Sequence, residues 1–353
     1  MIIVVLELLL YLLNNILLPK ESCLVAPMSL HIGVDIGATF IRAGLFSHEG
    51  ELLKKIKSPF PRSGFEEYLK NLIIDLSGGE LSRIAGVGVG SIGPLDLSTG
   101  SVPRAPNAPI KSFRIVDPLR ELGLRVVLAN DAVAAAWGEH ILGLARGYRN
   151  ILYVTISTGI GGGVIVDGNL LIGKDGNAHE IGHLVVDYSS NIRCGCGGYG
   201  HWEGIASGIN IPRSFSQYVS REGLCGSFKS PLCQRLLEGS LETREIFEQY
   251  ARGDPIAIKY VDEYLMLVNS AGIASTINAY DPEILIMGGS VALNNKEAFA
   301  KGLDRYLDKY ITVRKPVIRF TEFGDDVGIY GAAALSIKPP ESLKEYIEAW
   351  NKR

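Results

Sequence analysis

The chain has 353 residues, of which 47% are hydrophobic and 21% charged, and a formal net charge of −3. This length supports about two domains with real cores, and the composition excludes an intrinsically disordered chain. No run of Lys or Arg stands out, so the basic footprint expected of a nucleic-acid binder is missing.

Residues 1–18 are almost wholly apolar, interrupted by Glu7, Asn14 and Asn15. A membrane span takes about 20 apolar residues, and a secretory signal needs a basic start and a small-residue cleavage site. This start carries no Lys or Arg, and the chemistry-bearing sequence begins just after Met28. A start codon assigned too far upstream is the preferred reading, ahead of a buried or membrane-touching helix and of a true anchor. Residues 1–29 are set apart as an apolar extension, and the chain is expected to be cytoplasmic and not membrane-bound.

From His31 the sequence reads as strand, glycine turn, strand: LHIGVDIGAT, then FIRAGLFSHEG, then ELLKKIKSP, with Gly50 at a hairpin turn. A helical pattern follows over 65–76, a strand over 84–90, a proline-rich loop over 94–109 and a strand over 125–129. An alanine-rich helix then runs from Asp131 to about Ala145, with Asn130 or Asp131 as its cap. About 120 residues after the first hairpin the pattern recurs as ILYVTIST, GIGGGVIVDGN and LLIGK, turning at Asp167-Gly168.

A Gly/Cys/His loop comes next, and then a long helix from Asp254-Pro255 to about Ala279. The buried strand EILIMGG, a helix near 296–310, the strand PVIRF, the helix GIYGAAALS and a surface helix over 338–353 complete the chain. Strands alternating with helices predict an α/β protein, and the repeated hairpin predicts two similar halves facing each other. The division is 30–140, to which 338–353 returns, and 141–337, with the boundary near 138–148.

Three glycine elements and one Cys/His loop carry candidate chemistry. Asp35-Ile36-Gly37-Ala38-Thr39 reads either as a plain hairpin or as a phosphate site, in which the turn amides and the Thr hydroxyl suit phosphate oxygens and the carboxylate suits a magnesium ion held through water. Thr158-Gly159-Ile160-Gly161-Gly162-Gly163 occupies the matching place in the second hairpin. So many glycines weaken a strand unless its backbone must approach something closely. Gly288-Gly289-Ser290, ending a buried strand, suits either an adenosine contact or a plain strand-to-helix turn. Asp131 reads either as a helix cap or as a general base for phosphoryl transfer.

His183, Cys194, Cys196 and His201 form a nitrogen and sulfur set suited to tetrahedral zinc with no open position, hence a structural site. Five cysteines do not make a disulfide framework, and the Cys194/Cys196 pair points to a reducing compartment. Cys225 and Cys233 are read as two buried thiols in preference to a pair.

Taken together, these residues resemble the ROK family of repressors, open reading frames and sugar kinases, and within it the ATP-dependent glucokinases and hexokinases. The signature run extends from Ile156 through Gly159, Gly161, Gly163 and Gly173 to Glu180-Ile181-Gly182-His183, and the resemblance covers about 30–335. It implies an actin-like, ribonuclease-H-like duplicated fold with sugar and ATP in the cleft between two domains. It further implies that Asp131 is the base activating the C6 hydroxyl of a hexose. Asn107, Asn130, Glu180, His183 and Glu203 are the implied sugar contacts.

Gly37, Ala38, Thr39, Thr158, Gly159, Ile160 and Gly161 correspond to phosphate contacts, and Gly288 and Gly289 to the adenosine side. The implied cofactors are ATP, Mg2+ and structural Zn2+, and the implied assembly is a homodimer. Two departures stand out. His201 stands where the family has a third cysteine. His179 stands where the family has a small residue, with bulk to reshape the sugar pocket or to serve as a substitute metal ligand. A repressor needs a basic helix-turn-helix module ahead of the first hairpin, and only thirty apolar-rich residues precede His31. A non-catalytic, polymerising protein of this fold would not need Asn130, Asp131, Glu180, His183 and Glu203 together.

Overall fold

The computed structural model describes residues 29–105 and 108–352; the expectations for residues 1–28 and for Asn107 lie outside the described residues. Strands β1 (Leu30–Ile36), β2 (Phe40–Phe46), β3 (Leu52–Pro59) and β4 (Ile84–Ser91) build most of a first sheet. A two-residue ribbon, β5 (Ser101–Val102) and β6 (Phe113–Arg114), stands beside it, and β7 (Val126–Asn130) completes the order β3-β2-β1-β4-β7. The hairpin strands pair antiparallel, whereas β1, β4 and β7 run parallel.

The second sheet holds β8 (Ile151–Ile156), β9 (Ile160–Val166), β10 (Asn169–Leu170), β11 (Ile284–Gly288) and β12 (Val317–Phe320) in the order β10-β9-β8-β11-β12. Its senses repeat those of the first sheet strand for strand. The molecule is therefore an α/β structure with two sheet-containing lobes. Each lobe has its own apolar core, one gathered around Ile32, Val34 and Val89, the other around Val154, Leu285 and Trp202.

Helix α1 (Phe65–Ser77) buries Phe65, Leu69, Leu72, Ile73 and Leu76, the three-and-four spacing of one helical face. Helix α2 (Asp131–Ile141) leaves the last strand of the first sheet but lies on the second. A β-carbon on Gly163 would fall 2.5 Å from the Ala132 carbonyl oxygen. Helix α3 (Trp202–Ala206) is a short buried segment, and α4 (Met266–Tyr280) backs the second sheet, followed by α5 (Lys296–Tyr306).

Helix α6 (Val327–Ile337) reverses the path of α2: it leaves the second sheet and lies on β1 and β4. There β-carbons on Gly33 and Gly88 would fall 2.3 Å and 1.7 Å from the carbonyls of Ile329 and Ala332. The two helices cross where Gly331 faces Ala134, a separation of 2.5 Å for a β-carbon placed there. Their small residues let backbones meet at distances that any larger side chain would forbid.

Four sequence expectations are adjusted. Helix α2 stops at Ile141, four residues short of the predicted end. The long helix begun at Asp254 passes through a π-helical stretch, Lys259–Leu265, before α4. The C-terminal helix α7 (Lys344–Lys352) is not merely superficial: the Trp350 ring is buried in the first core and its indole N–H donates to the Leu97 carbonyl at 2.8 Å. Finally, Cys225 and Cys233 are not two buried thiols but a disulfide. The helices Leu224–Ser227 and Pro231–Glu238 turn Leu224 and Leu232 inward, which leaves the neighbouring cysteines facing each other with Cα atoms 5.8 Å apart. Among the described residues no helix is long and apolar enough to cross a membrane.

Candidate active site

The parallel strands place the acidic residues at one end of the first sheet. Asp35 on β1 pairs in register with Gly90 on β4, and Gly90 with Ala129 on β7, so Asp131 emerges one step beyond the same carboxyl edge. Such edges are where open α/β sheets bind ligands. Asp35 is buried and accepts from Arg42 Nη1 at 3.0 Å; Gly328 leaves room for it, since a β-carbon there would sit 2.5 Å from the Asp35 carboxyl carbon. Burial pushes the Asp35 carboxyl above its usual range, with Arg42 opposing.

Asn130, not Asp131, is the cap of α2. Its Oδ1 accepts from the amides of Ala132 at 3.0 Å and Val133 at 3.4 Å. Asp131 occupies the first helical position, half-buried, and accepts from the Ala132 amide at 2.8 Å. Its carboxyl is pushed up to about 7, by burial first and then by the negative charge of Asp35, with Glu180 adding to it and the Ala132 amide opposing. A carboxylate poised near neutrality can accept a proton in a transition state, which an ordinary carboxylate does poorly.

In the first turn Gly37 donates its own N–H to Phe40 at 3.0 Å, while Ala38 is half-exposed and Thr39 exposed at the tip. The second turn closes with Ser157 donating to the Gly159 carbonyl at 2.9 Å and exposes Thr158. Glu203, from α3, accepts the Ile160 amide at 2.9 Å and fills the space that a side chain on Gly159 would need. The glycine run therefore answers to several neighbours: Gly159 to Glu203, Gly161 and Gly163 to α2, and Gly162 to the Ile181 side chain. Gly288 makes room for the Tyr153 hydroxyl, and Gly289, at φ +85°, lies against the Ile156 carbonyl. These two sit across β8 from the acidic group.

The Cys/His loop closes beside the second turn. The ligand atoms of His183, Cys194, Cys196 and His201 all lie within 4.8 Å of one another. Cys194 Sγ is 3.8 Å from His183 Nδ1, and Cys196 Sγ is 3.2 Å from His201 Nδ1. The other nitrogen of His183, Nε2, faces Glu180 at 3.7 Å, and Cys194 Sγ is 3.6 Å from Glu203. His179 is not part of this group: its buried ring lies between the Gly162 and Leu171 carbonyls, so His201 is the fourth member.

The sequence-predicted residues Glu180, His183, Cys194, Glu203 and Ile160 thus form one chain of contacts, and Asp35 and Glu180 stand close enough for their charges to act on Asp131. Two participants went unnoticed in the sequence. Arg42 holds Asp35, and Asn177 clasps Leu95 through both its backbone groups, at 2.9 Å each. Register supplies the signal for Arg42, which stands directly opposite Asp35 on β2; none was available for Asn177.

Two like sheets with glycine turns at matching ends, acidic groups on one and a Cys/His loop on the other, define a two-lobed α/β phosphotransferase. The ROK family pattern matches residues 31–338. A glucokinase of Pyrobaculum calidifontis is 43% identical over 319 residues, spanning 90% of this chain and 99% of its own. A solved ROK hexokinase from Thermus thermophilus is 34% identical with a TM-score of 0.73, over 86% of this chain and 97% of that one. A ROK glucokinase from Streptomyces griseus, solved with glucose and AMPPNP, is 32% identical with a TM-score of 0.67, over 87% and 98%. The chain belongs to the ROK family, and it is an ATP-dependent sugar kinase.

Proposed function

We propose that this kinase is a hexokinase of the glucokinase type, acting on glucose or a related hexose at the C6 hydroxyl with Asp131 as general base. The observation that carries this reading is the Asp131 carboxyl, raised to about 7 at the carboxyl edge of the first sheet. The hydroxyl oxygen attacks the γ-phosphorus, the bond from that phosphorus to the bridging oxygen of ADP breaks, and the hydroxyl proton passes to Asp131. Asn107, Asn130, Glu180, His183 and Glu203 hold the sugar. The turns at 37–39 and 158–161 flank the phosphates, and Gly288-Gly289 flank the adenosine. The glucose and AMPPNP bound by the Streptomyces griseus relative support the same pair of ligands here.

In this reading the two like sheets are a duplicated actin-like, ribonuclease-H-like fold with the substrates in the cleft between domains 30–140 and 141–337. Asp35 would help to hold magnesium, which would neutralise charge on the phosphates. The donor set at His183, Cys194, Cys196 and His201 fits structural zinc: the Cys–His separations of 3.2 and 3.8 Å fall on either side of the roughly 3.6 Å between a nitrogen and a sulfur ligand of a tetrahedral site, and all four ligand atoms lie within 4.8 Å of one another. With Nδ1 on the metal side, His183 keeps Nε2 toward Glu180 and the sugar. The enzyme acts in the cytoplasm as a homodimer, without nucleic-acid partners.

An ATP-coupled assay across glucose, fructose, mannose and N-acetylmannosamine tests the reading. ADP release should be fastest with glucose. Release no faster with any hexose than without sugar would overturn it.

A further inference from the structure

Among the described residues three non-glycine residues have positive φ: Asp167, His179 and Asp281. The two aspartates are exposed, Asp167 in a hairpin turn and Asp281 at the C-cap of α4. His179, at φ +54°, is buried, with 7% of its surface exposed. Left-handed backbone at a bulky residue persists only where its surroundings hold it there. Here the side chain does the holding. Nδ1 lies 3.1 Å from the Gly162 carbonyl on β9 and Nε2 lies against the Leu171 carbonyl just beyond β10; burial favours the neutral ring, whose single N–H donates to one of these carbonyls while the ring is wedged against both.

The next residue is Glu180. Its φ of −68° and ψ of 56° make it the centre of an inverse γ-turn, closed by the Ile181 amide donating to the His179 carbonyl at 2.7 Å. A γ-turn fixes the direction of its central side chain through the two peptides that flank it. One of those peptides begins at His179, whose ring is wedged against two segments of the second sheet's edge. The Glu180 side chain itself is exposed, with the His183 ring 3.7 Å away and no hydrogen bond of its own among the described residues, so its aim depends on that backbone.

We propose that His179 is a positioning residue for Glu180: its ring anchors the γ-turn to β9 and β10 and so fixes the carboxylate that meets the sugar. This rests on the reading of Glu180 as a sugar contact. The bulk of His179 acts beneath the pocket and not as a metal ligand.

A double-mutant cycle read as steady-state kinetics tests it, using wild type, His179→Ala, Glu180→Ala and the double variant. His179→Ala should raise the KM for glucose about five- to tenfold, the scale of one lost hydrogen bond, with the KM for ATP within about twofold of wild type. In the Glu180→Ala background the same change should have no further effect on the glucose KM. An equal rise in both backgrounds, or none in either, overturns the positioning role while leaving the Glu180 reading intact. An unchanged glucose KM in Glu180→Ala alone overturns that reading and the inference with it. Should His179→Ala fail to fold, His179→Gln and His179→Met carry the test: the amide keeps an N–H donor for the carbonyls and should stay near wild type, whereas the thioether has no donor and should show the raised KM. Equal behaviour of these two overturns the role.

Discussion

The two sheets share strand order and sense, yet they differ in what loads their carboxyl edges. The first edge carries buried charge: Asp35 clasped by Arg42, and Asp131 held half-neutral beside it. The second carries a cross-linked loop, in which Glu203 reaches the Ile160 amide and the Cys/His group packs behind it. Glycines are common to both but serve different sites. On the first sheet Gly33 and Gly88 admit helix α6 over β1 and β4; on the second Gly161 and Gly163 admit α2 over β9. A shared frame therefore constrains the helix seats, while the residues at the turns are free to diverge in chemistry. Helices α2 and α6 each rise from one sheet and rest on the other, and they meet at the close Gly331–Ala134 crossing.

The sharpest way to break this contrast is to strip each edge in turn. Asp131→Asn should lower turnover by roughly 10²–10⁴-fold while leaving ATP affinity nearly intact. Unchanged turnover in stopped assays would place the base elsewhere. The same residue sets a pH limb: a base must be ionised to accept a proton, so kcat/KM should rise with pH and level off above about 7. Its folded-state carboxyl lies above the unfolded one, so the fold is favoured by the protonated form and loses stability as pH climbs from the ordinary carboxylate range through about 7. Asp131→Asn should accordingly raise Tm at pH 8 but not at pH 4, read by calorimetry.

On the second edge, Cys194→Ser should reduce bound zinc from about one per chain and lower activity through the displaced His183, with mass-spectrometric metal analysis as the readout. Metal-free protein of full activity would remove the zinc from the proposal. Smaller effects are expected away from both edges. Gly331→Val overpacks the helix crossing and should cost about 1–3 kcal/mol in chemical denaturation. A cost below measurement would mean the crossing can yield. Last, replacing Cys225 and Cys233 by Ser opens a loop of sequence separation 8, for which chain entropy sets an upper limit near 2–3 kcal/mol. Turnover should not change, since the disulfide lies outside the acidic and Cys/His groups.

Much of this was legible in one dimension because its causes are local. Alternating apolar residues, glycine at the hairpin turns and Asn130-Asp131 before an alanine-rich run determine strand, turn and helix start within a few residues of themselves. The Cys/His set was readable for the same reason, since metal donors cluster by chemical type. Tertiary structure decided what depended on distant partners. It made Asn130 the cap and left Asp131 to be raised by burial and then by Asp35, and it turned His179 toward β9 and away from the cysteines. It also joined Cys225 to Cys233 and sent α2 and α6 across to the opposite sheets. Hydrogen-bond partners, charge coupling and backbone approach are properties of positions brought together by folding. Residue identity limits those outcomes, and only the packed arrangement chooses among them.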